Sequence, residues 1–145
     1  MSAVTSDTIR RSVDVPLSQQ RAFALFTERA STWWPFATHS VAGAAADAAV
    51  FEPRVGGRVY ERTRDGSEHD WGEITEWDPP RRFALAWTLD PSCAGTVVEV
   101  SFAATADGTR VQLDHRGWRD ARPETIEGYA GGWELVLRTF ADSAR

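Results

Sequence analysis

Lysine is missing from this chain: all 16 basic residues are arginine. Schiff-base chemistry on a lysine amine and a lysine general base are thereby excluded. Cysteine is nearly missing too. Cys93 stands alone, which rules out an intrachain disulfide and a cysteine-built zinc site. No apolar run approaches the roughly 20 residues that cross a bilayer. The N-terminal MSAVTSDTIRRSVDV lacks the charged-then-apolar order of a secretion signal, so a cytoplasmic location is expected. Excess positive charge is lacking as well. A net charge of −5 argues against nucleic acid as the main partner, because phosphates call for clustered cations. No phosphate loop or dinucleotide fingerprint occurs; the pair Gly56-Gly57 lacks the required strand-to-helix context.

Tryptophan, by contrast, is abundant: Trp33, Trp34, Trp71, Trp77, Trp87, Trp118 and Trp133. A chain of 145 residues suits one domain spanning 1–145, with enough material for a real core. Such a core uses one or two indoles; seven must either fill volume or line something.

The hydrophobic pattern divides the chain. TIRRSVDV alternates, with Ile9, Val13 and Val15 on one face, and reads as a strand ended by Pro16. Arg11 shares that face, so the strand is expected at an edge or with its start exposed. Ser18 is placed to cap a helix through SQQRAFALFTE, where Ala22, Phe23 and Phe26 fall at helical spacing. RASTWW reads as a second short helix before Pro35, and HSVAGAAADAA as a loop. From residue 48 onward, six segments alternate with turns: AVFEPR, GGRVYERTR, DWGEITEW, RFALAWTL, TVVEVSFAA and RVQLDHRGW. A long helix follows, with Pro123 in its first turn. This order predicts an α+β helix-grip arrangement: a curved antiparallel sheet of six or seven strands, two short helices after the first strand, and a long C-terminal helix gripped by the sheet.

Face assignment then singles out polar candidates. In RVQLDHRG, His115 shares the apolar face with Val111 and Leu113. It is either a buried histidine held by hydrogen bonds or a polar group orienting a ligand in a pocket. In DWGEITEW, strict alternation puts Glu73 on the face of Trp71 and Trp77. Glu73 either follows the indoles inward, where its pKa would rise, or sits in water beside an arginine.

On the last helix, Ile126, Tyr129, Ala130, Trp133, Val136, Leu137 and Phe140 form one apolar stripe toward the sheet. Each of its three glycines, Gly128, Gly131 and Gly132, costs about 1 kcal/mol relative to alanine. Gly128 and Gly132 share one flank, and Gly131 is on the far side. The shallow flank either makes room for a neighbouring element or bound molecule, or reflects a bent or frayed helix start. Leu135 lies off the stripe; a homodimer contact is one reading of it.

The segments VPLSQQRAFALFT, WWP, FEPRVGGRVYER, WGEITEWDPPRRFALAW, TVVEVSFAATADGTRVQLDHRGW and GYAGGWELVLRTFA carry a resemblance that spans almost the whole chain. The chain resembles the START-like (SRPBCC) superfamily. Within it, the chain is similar to the bacterial single-domain branch named after the C-terminal domain of the heat-shock protein 90 ATPase activator. The resemblance implies a deep apolar cavity between the sheet and the last helix, used for hydrophobic small molecules. Strand position would place Trp71, Trp87, His115, Trp118 and Trp133 around it, with Phe51, Tyr60 and Glu73 as further candidates. Gly56 and Gly57 match the family's paired glycine, at a sharp bend between strands two and three. No catalytic set carries over, and no cofactor or metal is expected. No counterpart of the activator's N-terminal chaperone-binding domain is expected.

Three functions follow as expectations. The first is a binding protein for a hydrophobic or aromatic small molecule. The second is an enzyme of aromatase/cyclase or hydrolase type in the same cavity, with His115 or Glu73 as the acid or base. The third is a stress-response or co-chaperone-like interaction protein, for which a filled core with exposed apolar patches would speak. His39 and Ser40 are adjacent in a loop without a third partner, so a triad is not supported. His69 and Asp70 lack further metal ligands nearby.

Overall fold

The computed structural model describes residues 7–119 and 121–145. The elements are β1 (Thr8–Val15), α1 (Gln19–Phe26), β2 (Ala46–Phe51), β3 (Arg58–Thr63), β4 (Glu68–Asp78), β5 (Arg82–Trp87), β6 (Thr96–Ala104), β7 (Thr109–Arg116) and α2 (Pro123–Ser143). All neighbouring strands pair antiparallel in one seven-stranded sheet, ordered β1-β7-β6-β5-β4-β3-β2. The sheet curls around α2, as the pattern predicts.

Local chemistry fixes the ends of these elements. The Ser18 hydroxyl accepts the Arg21 amide at 3.2 Å and caps α1. Ala22, Phe23 and Phe26 of α1 are buried against the sheet. Phe23 meets Phe83 and Phe102 of the sheet edge-on or tilted, at 5.9 and 5.1 Å between ring centres. Between β2 and β3 the chain turns at Gly56, whose φ is +85°. At Gly57 a Cβ would lie 2.4 Å from the Glu52 carbonyl oxygen, so this bend accepts only glycine at both positions.

Two expectations need correction. RASTWW forms only a single 3₁₀ turn over Ala30–Thr32. Trp33 and Trp34 then run on as irregular backbone with both rings buried, because their burial outweighs the helical preference of so short a segment. HSVAGAAADAA is only partly a loop: β2 already begins at Ala46. Its small residues carry no alternation signal, and pairing with β3 decides the matter.

The most consequential departure lies in β4. Val59 pairs with Gly72 but Tyr60 with Asp70, so Trp71 is an extra residue. Ile74 pairs with Leu85 but Glu76 with Ala84, so Thr75 is a second one. Two bulges in one strand replace a spacing of two with a spacing of three. Trp71 and Ile74 are buried, and Trp77 packs edge-on against Phe23 at 5.1 Å. Glu73, between them, is exposed.

Candidate functional site

The space between sheet and helix is mostly occupied. Phe26, Phe83, Leu85, Val98, Leu113 and their neighbours leave a central void of only about 10 Å³. A cavity of about 380 Å³ lies along one side of α2, from Glu124 to Val136. The hollow expected in the middle is filled by aromatic rings and displaced to the flank.

Three surfaces enclose it. The sheet and α2 contribute Trp71, Trp87, Tyr129 and Trp133. The chain after α1 contributes Trp34 and the stretch Thr38–Val41. The remaining side is the shallow flank of α2, where Gly128 and Gly132 line the space. A Cβ at Gly128 would meet nothing within 4 Å, and one at Gly132 would meet only the His39 ring, at 3.5 Å. The helix is continuous through Pro123–Ser143, so its start is not frayed, and Gly128 and Gly132 leave the flank beside the cavity shallow. Gly131 is exposed, with nothing within 4 Å of a Cβ, and is not part of this cavity's lining.

The wall is held in place by hydrogen bonds behind it. Glu61, completely buried, accepts the Trp71 indole N–H at 2.7 Å and the amides of Val41 and Ala42 at 2.6 and 2.8 Å. One carboxylate therefore ties the sheet wall to the loop that roofs the cavity. The Trp34 indole donates to the His39 carbonyl at 2.8 Å. The Trp87 indole donates to the Tyr129 hydroxyl at 3.1 Å, and burial pushes that phenol up from its ordinary range.

His115 lies behind the wall. It is fully buried; its Nδ1 accepts the Trp133 indole N–H at 2.9 Å, and its Nε2 is 2.8 Å from the Thr96 hydroxyl. The Thr96 hydroxyl donates in turn to the Cys93 carbonyl at 2.7 Å. An acceptor at Nδ1 fixes the neutral ring with its proton on Nε2. Burial lowers the His115 pKa to about 3. Both ring nitrogens are engaged within the protein, so His115 positions Trp133 and does not face a ligand. Trp118 packs on it at 4.4 Å, also buried and away from the cavity.

Of the eight candidates, Trp71, Trp87 and Trp133 form the wall. Phe51 borders the small central void. Tyr60 is on the outer face of the sheet, with the Arg58 guanidinium 4.1 Å from its ring centre and Arg62 donating to its hydroxyl at 3.1 Å. Glu73 points to solvent and lines nothing, because the bulge at Trp71 breaks the alternation that would have taken it inward. Trp34, Tyr129 and His39 line the cavity without having been identified from the pattern. Tyr129 had been placed on the apolar stripe; His39 gave no periodic signal. Among the described residues, no group of three or more His, Cys, Asp or Glu side chains is placed to hold a metal ion, and no helix is long and apolar enough to cross a membrane.

Comparison with known proteins agrees with this architecture. A protein from Mesorhizobium loti superposes with a TM-score of 0.71 at 18% identity, over 93% of this chain and 94% of its own. An Aha1 dimer from Colwellia psychrerythraea, solved in solution, gives 0.71 at 15% identity, over 94% and 95%. At these identities the likeness is one of fold. A nearer relative in sequence is the anthrahydroquino-gamma-pyrone synthase Txn09, solved in complex with SUM: 33% identity, TM-score 0.61, over 96% of this chain and 99% of that one. A comparison with curated proteins gives no match. The profile for "Activator of Hsp90 ATPase homolog 1-like protein" matches residues 16–144. With the helix-grip fold and a profile match over nearly its full length, the chain belongs to the activator of Hsp90 ATPase homolog 1-like family of the START-like superfamily.

Proposed function

We propose that this protein binds a planar, largely apolar aromatic small molecule in the cavity beside α2. The observation that carries the reading is the pairing of an indole and phenol wall with a helix flank kept bare by Gly128 and Gly132. Flat rings gain most from such a slot, since they bury both faces against aromatic surfaces. The relative at 33% identity, named as a synthase of an anthrahydroquino-gamma-pyrone and solved in a complex, supports a ligand of the same fused-ring class.

That relative's name also favours a second reading, in which the cavity holds the ring system while a cyclisation takes place. The interaction-protein reading has less support: among the described residues, Val41 and Val55 are the large hydrophobics that are exposed. A homodimer has a precedent in the solution dimer of the Colwellia relative and is tested by sedimentation.

Native mass spectrometry of the protein isolated from its own host tests the main reading. A retained aromatic compound supports it, and a protein that binds no planar aromatic from a panel of two- to four-ring compounds refutes it. Incubation of the bound compound with the protein separates the two readings: an unchanged mass and structure means binding, a newly closed ring means catalysis.

A further inference from the structure

The indole N–H groups that border the cavity are all committed to the protein. All four wall indoles donate inward or backward: Trp34 to the His39 carbonyl, Trp71 to Glu61, Trp87 to Tyr129 and Trp133 to His115. Ser40 donates to the Phe36 carbonyl at 2.6 Å. The wall therefore offers a ligand ring faces and carbon edges, and very little polarity.

Along with Glu124 and Thr125 on the helix, His39 supplies polarity to the cavity. It is half-buried and its Nδ1 lies 2.7 Å from the Thr38 hydroxyl, which fixes the ring's orientation. Its other edge is turned to the helix: Cδ2 and Nε2 both lie 3.5 Å from where a Cβ on Gly132 would stand. Nε2 has no protein partner among the described residues. Burial holds the imidazole below its ordinary pKa, so the ring is neutral at neutral pH. A neutral ring engaged at Nδ1 presents at Nε2 either a donor or an acceptor, depending on which way the Thr38 proton points. A ligand hydroxyl, able both to donate and to accept, pairs with either form.

We propose that His39 is the polar recognition group of this cavity and that it selects fused-ring ligands carrying a hydroxyl group on the ring edge nearest Gly132. The inference rests on the cavity-binding reading above and adds the ligand's polar feature and the atom that reads it. The missing side chain at Gly132 gives the imidazole room to lie against the helix. The backbone of His39 is itself held by the Trp34 indole, so the recognising ring is mounted on the aromatic wall.

The test uses a matched pair of probes, 2-hydroxyanthraquinone and 2-methylanthraquinone, which differ by a hydroxyl in place of a methyl group of similar size. Quenching of tryptophan emission gives the affinity of the full-length protein for each. One hydrogen bond predicts that the wild type prefers the hydroxyl probe by roughly two- to tenfold. In His39→Leu and in His39→Phe, which keeps the ring shape, that ratio falls to about one; in His39→Gln, which restores a donor and an acceptor, it recovers in part. A wild-type ratio near one, or a ratio unchanged in the Leu and Phe variants, overturns the role of His39 while leaving the cavity reading intact. Failure of the wild type to bind either probe overturns the cavity reading and this inference with it.

Discussion

The Glu61 side chain accepts the indole N–H of Trp71 at 2.7 Å, and both residues are buried. Its other contacts are backbone amides of Val41 and Ala42, so three N–H donors satisfy a buried carboxyl group. Such an arrangement is sound only while every donor stays in place.

Glu61→Gln turns one acceptor oxygen into an NH2 group that faces an N–H. The expected cost is about 1–3 kcal/mol of stability, read from denaturant unfolding. Amide exchange at Val41 and Ala42 should accelerate together with it. Unchanged stability and unchanged protection would show that the carboxylate does not secure the roof of the cavity.

The helix glycines should separate by function. Gly131 faces solvent with nothing within 4 Å of a Cβ, so Gly131→Ala should stabilise the protein by about 0.5–1 kcal/mol. Gly128 has equally open space, but that space is the cavity. Gly128→Phe should fold and weaken binding of a planar aromatic by roughly tenfold or more, a loss of about 1.4 kcal/mol. Full affinity in Gly128→Phe would place the ligand elsewhere.

His115 sets a pH dependence whose sign follows from its lowered pKa. Above its ordinary value of about 6.5, folded and unfolded chains both hold the ring neutral and the contribution to stability is complete. Below that, the unfolded chain takes up a proton that the folded one refuses until about pH 3. Stability should therefore fall with acidification, by up to about 1.4 kcal/mol per pH unit. The clearest window lies between about pH 6.5 and 4.5, above the titration of ordinary carboxylates. In His115→Gln the slope in this window should shrink, whatever the variant's absolute stability; an unaltered slope would assign the dependence to another group.

The register of β4 makes a sharp contrast between neighbours. Glu73→Ala should leave ligand affinity and melting temperature unchanged, because the side chain is in water. Trp71→Ala should lose both, since the ring forms cavity wall on one side and Glu61's partner on the other. Loss of binding in Glu73→Ala would mean that the strand is not bulged as described.

Much of the fold was legible because its signals are local. Alternation with Gly, Asp and Pro between segments marks the strands from β3 to β7, and the 3.6-residue stripe ending at Phe140 marks α2. β2 was harder, since Ala46, Ala48 and Ala49 give no contrast between faces. The site was legible in part. Trp71, Trp87 and Trp133 were identified, and the one-sided glycine flank was recognised as space. Tyr60 and Glu73 were not separable from them, because a bulge or an outward face leaves no trace in a period-two pattern. His39 was weighed only as part of a triad and set aside, since its place beside the cavity comes from meeting Gly132, 93 positions later in the chain.

The sequence by itself determined which residues are apolar, where the chain turns, and that α2 is bare on one flank; those are properties of composition and short-range periodicity. Only the tertiary structure decided that the centre is filled while the flank stays open, that Glu61 binds wall to roof, and that His115 is sealed behind Trp133 while His39 faces the cavity. The physical reason is that hydrogen bonds and packing join residues far apart in the chain, and two inserted residues in β4 are enough to reverse the face a side chain takes.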